Sequence, residues 1–213
     1  MFAPKSARLT RHLLALGRPA SQAELRRATE LDPGHVSRIV KRMLKVDLLT
    51  RLDDGRLAVP EPPLLLEAWA EGNAYRHEII EGHLPGRTGE ERARRLGRAL
   101  AEASPEHAFT GLPAAWAYTQ FAGFRSVSCY VRALPDATLL NAIGFRGETG
   151  APNVRLLVAD DEGVFDGAQV VSGLRCVCPS QTYVDLRHEP ERADELADAL
   201  RPLAASPSAK EVE

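Results

Sequence analysis

The chain has 213 residues, of which 44% are hydrophobic, with 27 Lys+Arg against 29 Asp+Glu. This composition is ordinary for a globular protein of one or two domains and excludes a chain that is disordered throughout. No apolar run approaches the roughly 20 residues that span a bilayer, and the first residues lack the apolar segment of a signal peptide. We therefore expect a cytoplasmic protein without a membrane partner.

Charge is unevenly placed along the chain. Residues 1–60 hold 12 Lys+Arg and 6 Asp+Glu, a net charge of +6, which leaves 15 and 23, a net charge of −8, for residues 61–213. The proline-rich stretch at residues 60–63 can continue neither a strand nor a helix and marks a boundary. The sequence predicts one domain at 1–60, a second at 61–203 and a flexible tail at the end, residues 204–213.

The first two predicted helices are short. Leucines recur at steps of four and three between residues 6 and 16, the spacing of one helix face, and Gly17 ends this helix. In the second helix, Ser21 is the natural N-cap residue and Glu24 completes a capping box. This helix is predicted to end near Thr29.

A third helix is predicted to begin at Asp32-Pro33, because aspartate caps free amides and proline suits the first helical position. After it, residues 48–60 are predicted to form two short strands around an Asp54-Gly55 turn. Three helices followed by a hairpin form the winged helix-turn-helix, in which the third helix enters the DNA major groove. The predicted inward-facing residues of this helix are Val36, Ile39, Val40 and Met43.

The outer side of the third helix and the hairpin carry a concentration of positive charge. A charged outer face is also what a merely solvated helix presents, but here the helix caps, the hairpin and the net charge agree on DNA binding. The candidate DNA-binding residues are His35, Ser37, Arg38, Lys41, Arg42, Lys45, Arg51 and Arg56. The first three lie near the helix start and are placed to meet base edges, although His35 could equally be a second capping group. The others extend the cationic surface, and all except Lys45 are assigned to phosphates, which position the protein without reading sequence.

The stretch VSRIVKRMLKVDLL, residues 36–49, followed by the hairpin, resembles the DNA-reading half of MarR-like bacterial winged-helix regulators. It departs from their pattern at Val46-Asp47, where those regulators usually have a small residue or glycine, and this departure bears on where the helix ends. The resemblance implies that residues 1–60 bind double-stranded DNA.

The second region is predicted to mix helices and strands, so the expected fold class is α+β. Trp69 and Trp116 are expected to be core anchors, and Thr110 is expected to cap a helix. The predicted helices are residues 64–75, 90–103, 114–121 and 191–204, and the predicted strands are residues 126–133, 153–159 and 175–180.

The stretches LLLEAWAE, FTGLPAAW, VSCYVRA, NVRLLVADDEGVF and CPSQTYVDLRHEPERADELADALR follow in this order across roughly residues 62–203. Together they resemble the C-terminal domain of AbiEi-type antitoxins of type IV toxin-antitoxin systems. The resemblance implies a degenerate nucleotidyltransferase-like domain behind a winged helix, and a bacterial transcriptional autorepressor rather than an enzyme. It also implies a cognate nucleotidyltransferase-like toxin as a partner, and a second copy of the chain is a further candidate.

Two other functions stay open from the residues themselves. A nucleotidyltransferase-like enzyme directed to DNA needs a Gly-Ser turn followed by spaced carboxylates that hold Mg²⁺, and the second region has neither Gly-Ser nor an Asp-x-Asp pair. A one-component regulator would bind a small ligand in an apolar pocket of the acidic second region. We expect no catalytic residue, no cofactor and no metal site.

The three cysteines, Cys129, Cys176 and Cys178, are an odd number, which argues against a secreted disulfide framework. Three thiolates also fall short of the four ligands of structural zinc, and His188 is the only nearby candidate for the fourth. Buried thiols are therefore expected, with zinc binding and redox sensing as the alternatives.

Overall fold

A computed structural model of the chain describes residues 2–73, 77–102, 106–147, 150–189 and 193–207. It confirms the predicted α+β class, since helices accompany a mixed sheet. The chain divides into two compact units, one formed by Met1–Ala74 with Arg201–Glu213 and the other by Tyr75–Leu200. Residues 208–213 of the predicted tail, and residues 74–75, 103 and 191–192 at the ends of predicted helices, lie outside the described residues.

The first unit begins with three helices and a two-stranded hairpin. Its elements are α1 (Pro4–Leu16), α2 (Gln22–Thr29), α3 (Pro33–Lys45), β1 (Thr50–Arg51), β2 (Leu57–Ala58) and α4 (Pro62–Gly72). The predicted capping box of α2 is confirmed, because Glu24 N–H donates to Ser21 Oγ at 3.2 Å and Ser21 N–H donates to Glu24 Oε2 at 2.7 Å. The predicted domain boundary at residue 60 falls in the short connection between β2 and α4.

The core of the first unit forms where α3 packs against α1 and α2, and α4 packs against α1. Trp69 on α4 is fully buried, as predicted, and the Arg11 guanidinium lies 5.6 Å from the centre of its ring. Two backbone hydrogen bonds of 2.9 and 2.8 Å join Ala20, in the α1–α2 connection, to Leu57 of β2. The other large buried residues include Leu9, Leu25, Met43, Leu49, Leu65 and Leu66.

The second unit is built around a seven-stranded sheet. Its strands are β3 (Glu78–His83), β4 (His107–Thr110), β5 (Val127–Val131), β6 (Arg146–Gly147), β7 (Val154–Val158), β8 (Gln169–Val171) and β9 (Leu174–Cys176), and its helices are α5 (Gly89–Glu102), α6 (Gly111–Thr119), α7 (Ala137–Ala142) and α8 (Pro179–Leu186). The strand order is β6-β3-β7-β5-β4-β9-β8, with β5–β7 and β4–β9 parallel and the other pairs antiparallel. The last helix, α9 (Ala193–Ala204), crosses the residue at which the two units are divided.

Several predictions for the second region are wrong in detail. The strand predicted at residues 175–180 ends at Cys176, and helix α8 begins at Pro179. Thr110 precedes α6 but its side chain makes no capping hydrogen bond. Trp116 is half-buried and lies 5.7 Å from Phe124, ring centre to ring centre, so it is a weaker anchor than Trp69.

Candidate nucleic-acid interface

Helix α3 begins where the sequence predicts. Asp32 is its N-cap residue and accepts a hydrogen bond of 2.9 Å from the backbone N–H of His35, while Pro33 occupies the first turn. The Asp32 carboxylate also contacts His35 Nδ1. Hydrogen bonds from the ring and then from the backbone of His35 hold the pKa of Asp32 at about 2, so this cap is charged at neutral pH.

The two sides of α3 differ sharply in character. Its inward side is that predicted from the helical spacing, because Val36, Ile39, Val40 and Met43 are all buried. Its outward side has no acidic residue, since the helix sequence PGHVSRIVKRMLK contains none. The exposed residues of that side are Ser37, Arg38, Lys41, Arg42 and Lys45, which we call the basic face of α3.

The basic face of α3 is unneutralised along most of its length. Among the described residues, none makes an ion pair with Lys41, Arg42 or Lys45. Arg38 Nε donates to the carbonyl of Gly34 at 3.2 Å, which directs this guanidinium toward the start of the helix. The arrangement therefore presents cationic groups to solvent that are available to an anion.

The hairpin places its two candidate arginines differently. β1 and β2 pair antiparallel, and the turn between them contains Gly55 with φ +82°, a left-handed conformation that suits glycine. Arg51 on β1 donates to the Gly55 carbonyl at 2.9 Å, so its charge is not balanced by an acid there. Arg56, just before β2, pairs with Asp54 at 2.7 Å, so its charge is already balanced in the free protein.

Lys5 on α1 is a residue that sequence reasoning missed. Its ammonium lies 3.4 Å from His35 Nε2 and adds a cation beside the start of α3. An ammonium can only donate, so Nε2 accepts and Nδ1 carries the proton that His35 donates to Asp32. The two residues are 30 positions apart, and no local pattern links them.

The second unit contains a separate group of polar side chains on one sheet face. Cross-strand pairing brings together Thr110 on β4, Ser128 on β5, Arg155 on β7 and Glu81 on β3, which we call the polar row. Paired residues of neighbouring strands project from the same face, so these four side chains lie side by side.

Residues of α8 and the turn after it complete the polar row. Thr110 Oγ1 donates to Asp185 at 2.6 Å and Ser128 Oγ donates to Glu189 at 2.6 Å. Arg155 lies 3.3 Å from Glu81 and 3.8 Å from Glu189. These bonds tie α8 to the sheet and satisfy carboxylates that would otherwise be costly to bury.

Two histidines lie on the same side of the second unit. His77 Nε2 is 3.1 Å from the Tyr130 hydroxyl, and its Nδ1 is 3.5 Å from Asp160 Oδ1. Burial lowers the pKa of His77 although the charge of Asp160 opposes the shift. The pKa of His188 is lowered by burial and, to a smaller extent, by Arg155 and His77, so both rings favour the neutral form.

The cysteines are buried and free of disulfides. Burial raises the pKa of the Cys129 thiol well above its ordinary range and raises that of Cys176 to about 12, so both are protonated at neutral pH. Within the described ranges, no three His, Cys, Asp or Glu side chains are placed to hold a metal ion.

Comparison with protein-family models, with curated proteins and with solved structures finds no match to this chain. Over the part of the chain that the structure describes, no helix combines the length and apolar character needed to cross a membrane.

Proposed function

We propose that the chain is a DNA-binding transcriptional regulator that holds duplex DNA through a winged helix-turn-helix. In this assignment α1 to α3 form the helical part, α3 is the recognition helix, and the β1–β2 hairpin is the wing. The observation that carries the proposal is the basic face of α3, which is exposed and has no acidic residue.

The spacing of charge along α3 favours a binding surface over a simply solvated one. Residues four apart on a helix are neighbours, so Arg38 repels Arg42 and Lys41 repels Lys45 in the free protein. Each such pair costs a few tenths of a kcal/mol, on the order of what an opposite-charge pair contributes. A solvated helix usually avoids this cost by mixing signs, whereas a phosphate backbone removes it on binding.

Within this proposal, the residues fall into two groups. Ser37 and Arg38 are assigned to base edges because they lie in the first half of the recognition helix. His35 belongs with them only if its ring leaves Asp32 on binding. The phosphate contacts are assigned to Lys41, Arg42, Arg51 and Arg56, of which Arg56 must first leave Asp54. Lys45 extends the same cationic surface.

We further propose that the regulator is an antitoxin-type autorepressor in the bacterial cytoplasm. This part rests on the resemblance of residues 62–203 to the C-terminal domain of AbiEi-type antitoxins. In this proposal the second unit is degenerate nucleotidyltransferase-like and not catalytic, and the partner is a nucleotidyltransferase-like toxin. Its net negative charge suits a protein partner better than DNA.

DNA binding is tested by selecting duplexes from a random library with the full chain and measuring affinity for the enriched sequence by fluorescence anisotropy. Charge reversal of Lys41 and Arg42 together to glutamate should remove binding. The matched control is Arg98→Glu, an exposed arginine of α5 in the second unit, which should change affinity by less than about threefold. Failure to enrich any sequence, or equal losses of affinity in the two variants, would reject the DNA-binding assignment.

Autorepression is tested with a reporter driven by the DNA upstream of the protein's own gene. Expression of the chain should lower the reporter signal, and the double charge reversal on α3 should restore it. If the purified protein binds a selected duplex but leaves this reporter unchanged, the DNA-binding proposal stands and the autorepressor proposal fails.

A further inference from the structure

The seven-stranded sheet of the second unit ends at strand β8, which is hydrogen-bonded on one side to β9. The two strands are joined by Ser172 and Gly173, whose φ angles of +50° and +78° are those of a type I′ turn. In a two-residue hairpin the flanking pair, here Val171 and Leu174, exchanges hydrogen bonds. Because main-chain direction alternates along a strand, the N–H and C=O of Val170 point away from β9, toward the open edge.

The open edge at β8 is apolar and lacks the residues that usually protect an edge strand from pairing with another strand. The Val170 side chain is 71% exposed, the highest value among the large hydrophobic side chains described. Residues 168–172 contain neither a charged residue nor a proline, the devices by which proteins block strand pairing at an edge. By contrast, the opposite edge strand, β6, is two residues long and carries the exposed Arg146.

A second exposed hydrophobic side chain lies beside the same strand. Gln120 Nε2 donates to Ser172 Oγ at 3.0 Å, which holds the end of α6 against the β8–β9 turn. Phe121 follows Gln120 directly and is 46% exposed. An exposed hydrophobic residue thus lies next in sequence to a residue that contacts the β8–β9 turn.

Opposite charges lie at the two ends of β8. Asp166 is exposed and precedes the strand. Arg94 of α5 lies beyond the other end, where it donates to the Ser172 carbonyl at 3.1 Å and also pairs with Glu90 at 2.9 Å. An identical strand laid antiparallel would bring its Asp166 toward Arg94 of this copy, twice over. Arg94 would then have Asp166 of the second copy as an acidic neighbour in addition to its own Glu90.

We propose that this edge binds the same edge of a second copy of the chain. The two β8 strands lie antiparallel about a two-fold axis at Val170, so that each Val170 N–H donates to the Val170 carbonyl of the other copy. Residue 172 then faces residue 168 of the second copy, and Arg94 approaches Asp166 of that copy. The contact is isologous and closes as a dimer, and it joins two seven-stranded sheets into one.

A second copy fits this edge better than an unrelated strand does. The edge is self-complementary in hydrogen bonding at Val170, and its end charges attract only in the antiparallel arrangement of identical strands. The contact is small, so the expected dimer is weak, with dissociation in the micromolar range or above. The inference does not depend on DNA binding and is tested without DNA.

The first experiment measures the self-association of the full chain by sedimentation velocity over a range of concentrations. Val170→Lys should raise the dimer dissociation constant at least about tenfold, because a central contact is replaced by two like charges. The control is Leu64→Lys on α4, where the wild-type side chain is 54% exposed, and this variant should stay within about twofold of the wild type. A wild type that is monomeric throughout, or equal effects of the two variants, overturns the proposal.

The second experiment exchanges the end charges. Arg94→Glu and Asp166→Arg should each weaken the dimer about three- to tenfold, and the double variant should recover most of the loss. Recovery supports the antiparallel register, and additive losses in folded variants overturn it. Because Arg94 also bonds within its own copy, thermal melting of each variant establishes that folding is retained.

The third experiment traps the contact. Opposed residues of a hydrogen-bonded antiparallel pair have Cα atoms about 5.5 Å apart, a distance that a disulfide spans. Val170→Cys should therefore form a covalent dimer under mild oxidation, while the native cysteines are buried. Leu64→Cys should not, and an absence of cross-linking at residue 170, or equal cross-linking in the two variants, overturns the proposal.

Discussion

His35 donates a hydrogen bond from Nδ1 to the carboxylate of Asp32, the residue that caps helix α3. The same ring accepts from Lys5 through Nε2, so both ring nitrogens are engaged in the free protein. Asp32, His35 and Lys5 thus form a chain of side-chain contacts at the first turn of α3. Any base contact by His35 would require this chain of bonds to open.

Removal of the cap should destabilise the first unit. Asp32→Ala deletes the acceptor for the His35 backbone N–H, and loss of an N-cap side chain costs about 1 kcal/mol. The free energy of unfolding, measured by urea denaturation, should fall by that amount. Asp53→Ala, at an exposed position in the hairpin turn, is the control and should change it by no more than about 0.5 kcal/mol.

Lys41 and Arg42 are expected to neutralise phosphates in the proposed complex. Each alanine substitution should weaken binding to all duplexes alike and reduce the slope of log affinity against log salt by about one unit. Anisotropy titrations at several salt concentrations measure this slope. An unchanged slope in both variants would remove these residues from the phosphate-contact group.

Arg38 is expected to read sequence. Arg38→Ala should cost about 1 to 3 kcal/mol against the selected duplex and much less against random DNA. The measurement is the ratio of the two dissociation constants for wild type and variant. Equal losses on both duplexes would reassign Arg38 to phosphate contact.

The N-terminal and C-terminal parts of the chain should differ in DNA binding when each is tested as a fragment in gel-shift titrations. A fragment from Glu61 onward carries the net charge of −8 and should not bind DNA at physiological salt, whereas the N-terminal part should bind. The N-terminal fragment should be made in two lengths, with and without α4, because Leu65, Leu66 and Trp69 of α4 are buried in the first unit. A fragment ending at Asn73 should be more stable and bind more tightly than one ending at Pro60. Appreciable binding by the C-terminal fragment alone would revive a function of that region on nucleic acid.

The stability of the second unit should depend on pH through two half-buried histidines, His77 and His188. The pKa of His77 and that of His188 are both lowered in the folded chain, whereas in an unfolded chain each is about 6.5. The unfolded state therefore binds more protons below that pH, so stability is full above about pH 6.5 and falls as the pH drops toward the folded pKa values. Thermal melting between pH 7.5 and 5.5 should show this loss, and His77→Gln with His188→Gln should flatten it. An equally steep loss in the double variant would show that other groups cause it.

The sequence predicted the elements that depend on local chemistry. The capping box of Ser21 and Glu24, the start of α3 at Asp32-Pro33 and the turn at Asp54-Gly55 are each determined by residues within a few positions of one another. The inward face of α3 followed from helical spacing alone. These features are also those that define the candidate interface.

The sequence did not predict the features that depend on distant partners. Strands β3, β4 and β8 were missed. Strands β4 and β8 have only four and three residues, and β3, with six, owes its extended form to its neighbours β6 and β7 in the sheet. Thr110 was expected to cap α6, but its hydroxyl bonds Asp185, 75 residues away. Arg56 and Asp54 are only two residues apart and form an ion pair, yet the sequence equally allowed Arg56 to remain unpaired.

The backbone bonds between Ala20 and Leu57 have a consequence for the proposed binding event. They join β2 to the connection ahead of α2. The hairpin is therefore held by these hydrogen bonds as well as by the pairing of β1 with β2. A hairpin fixed in this way loses little conformational entropy when it binds a ligand, because its position is already restricted in the free protein. In the proposed complex the hairpin would then bind DNA as a rigid element, and any distortion needed for a fit would occur in the duplex rather than in the chain.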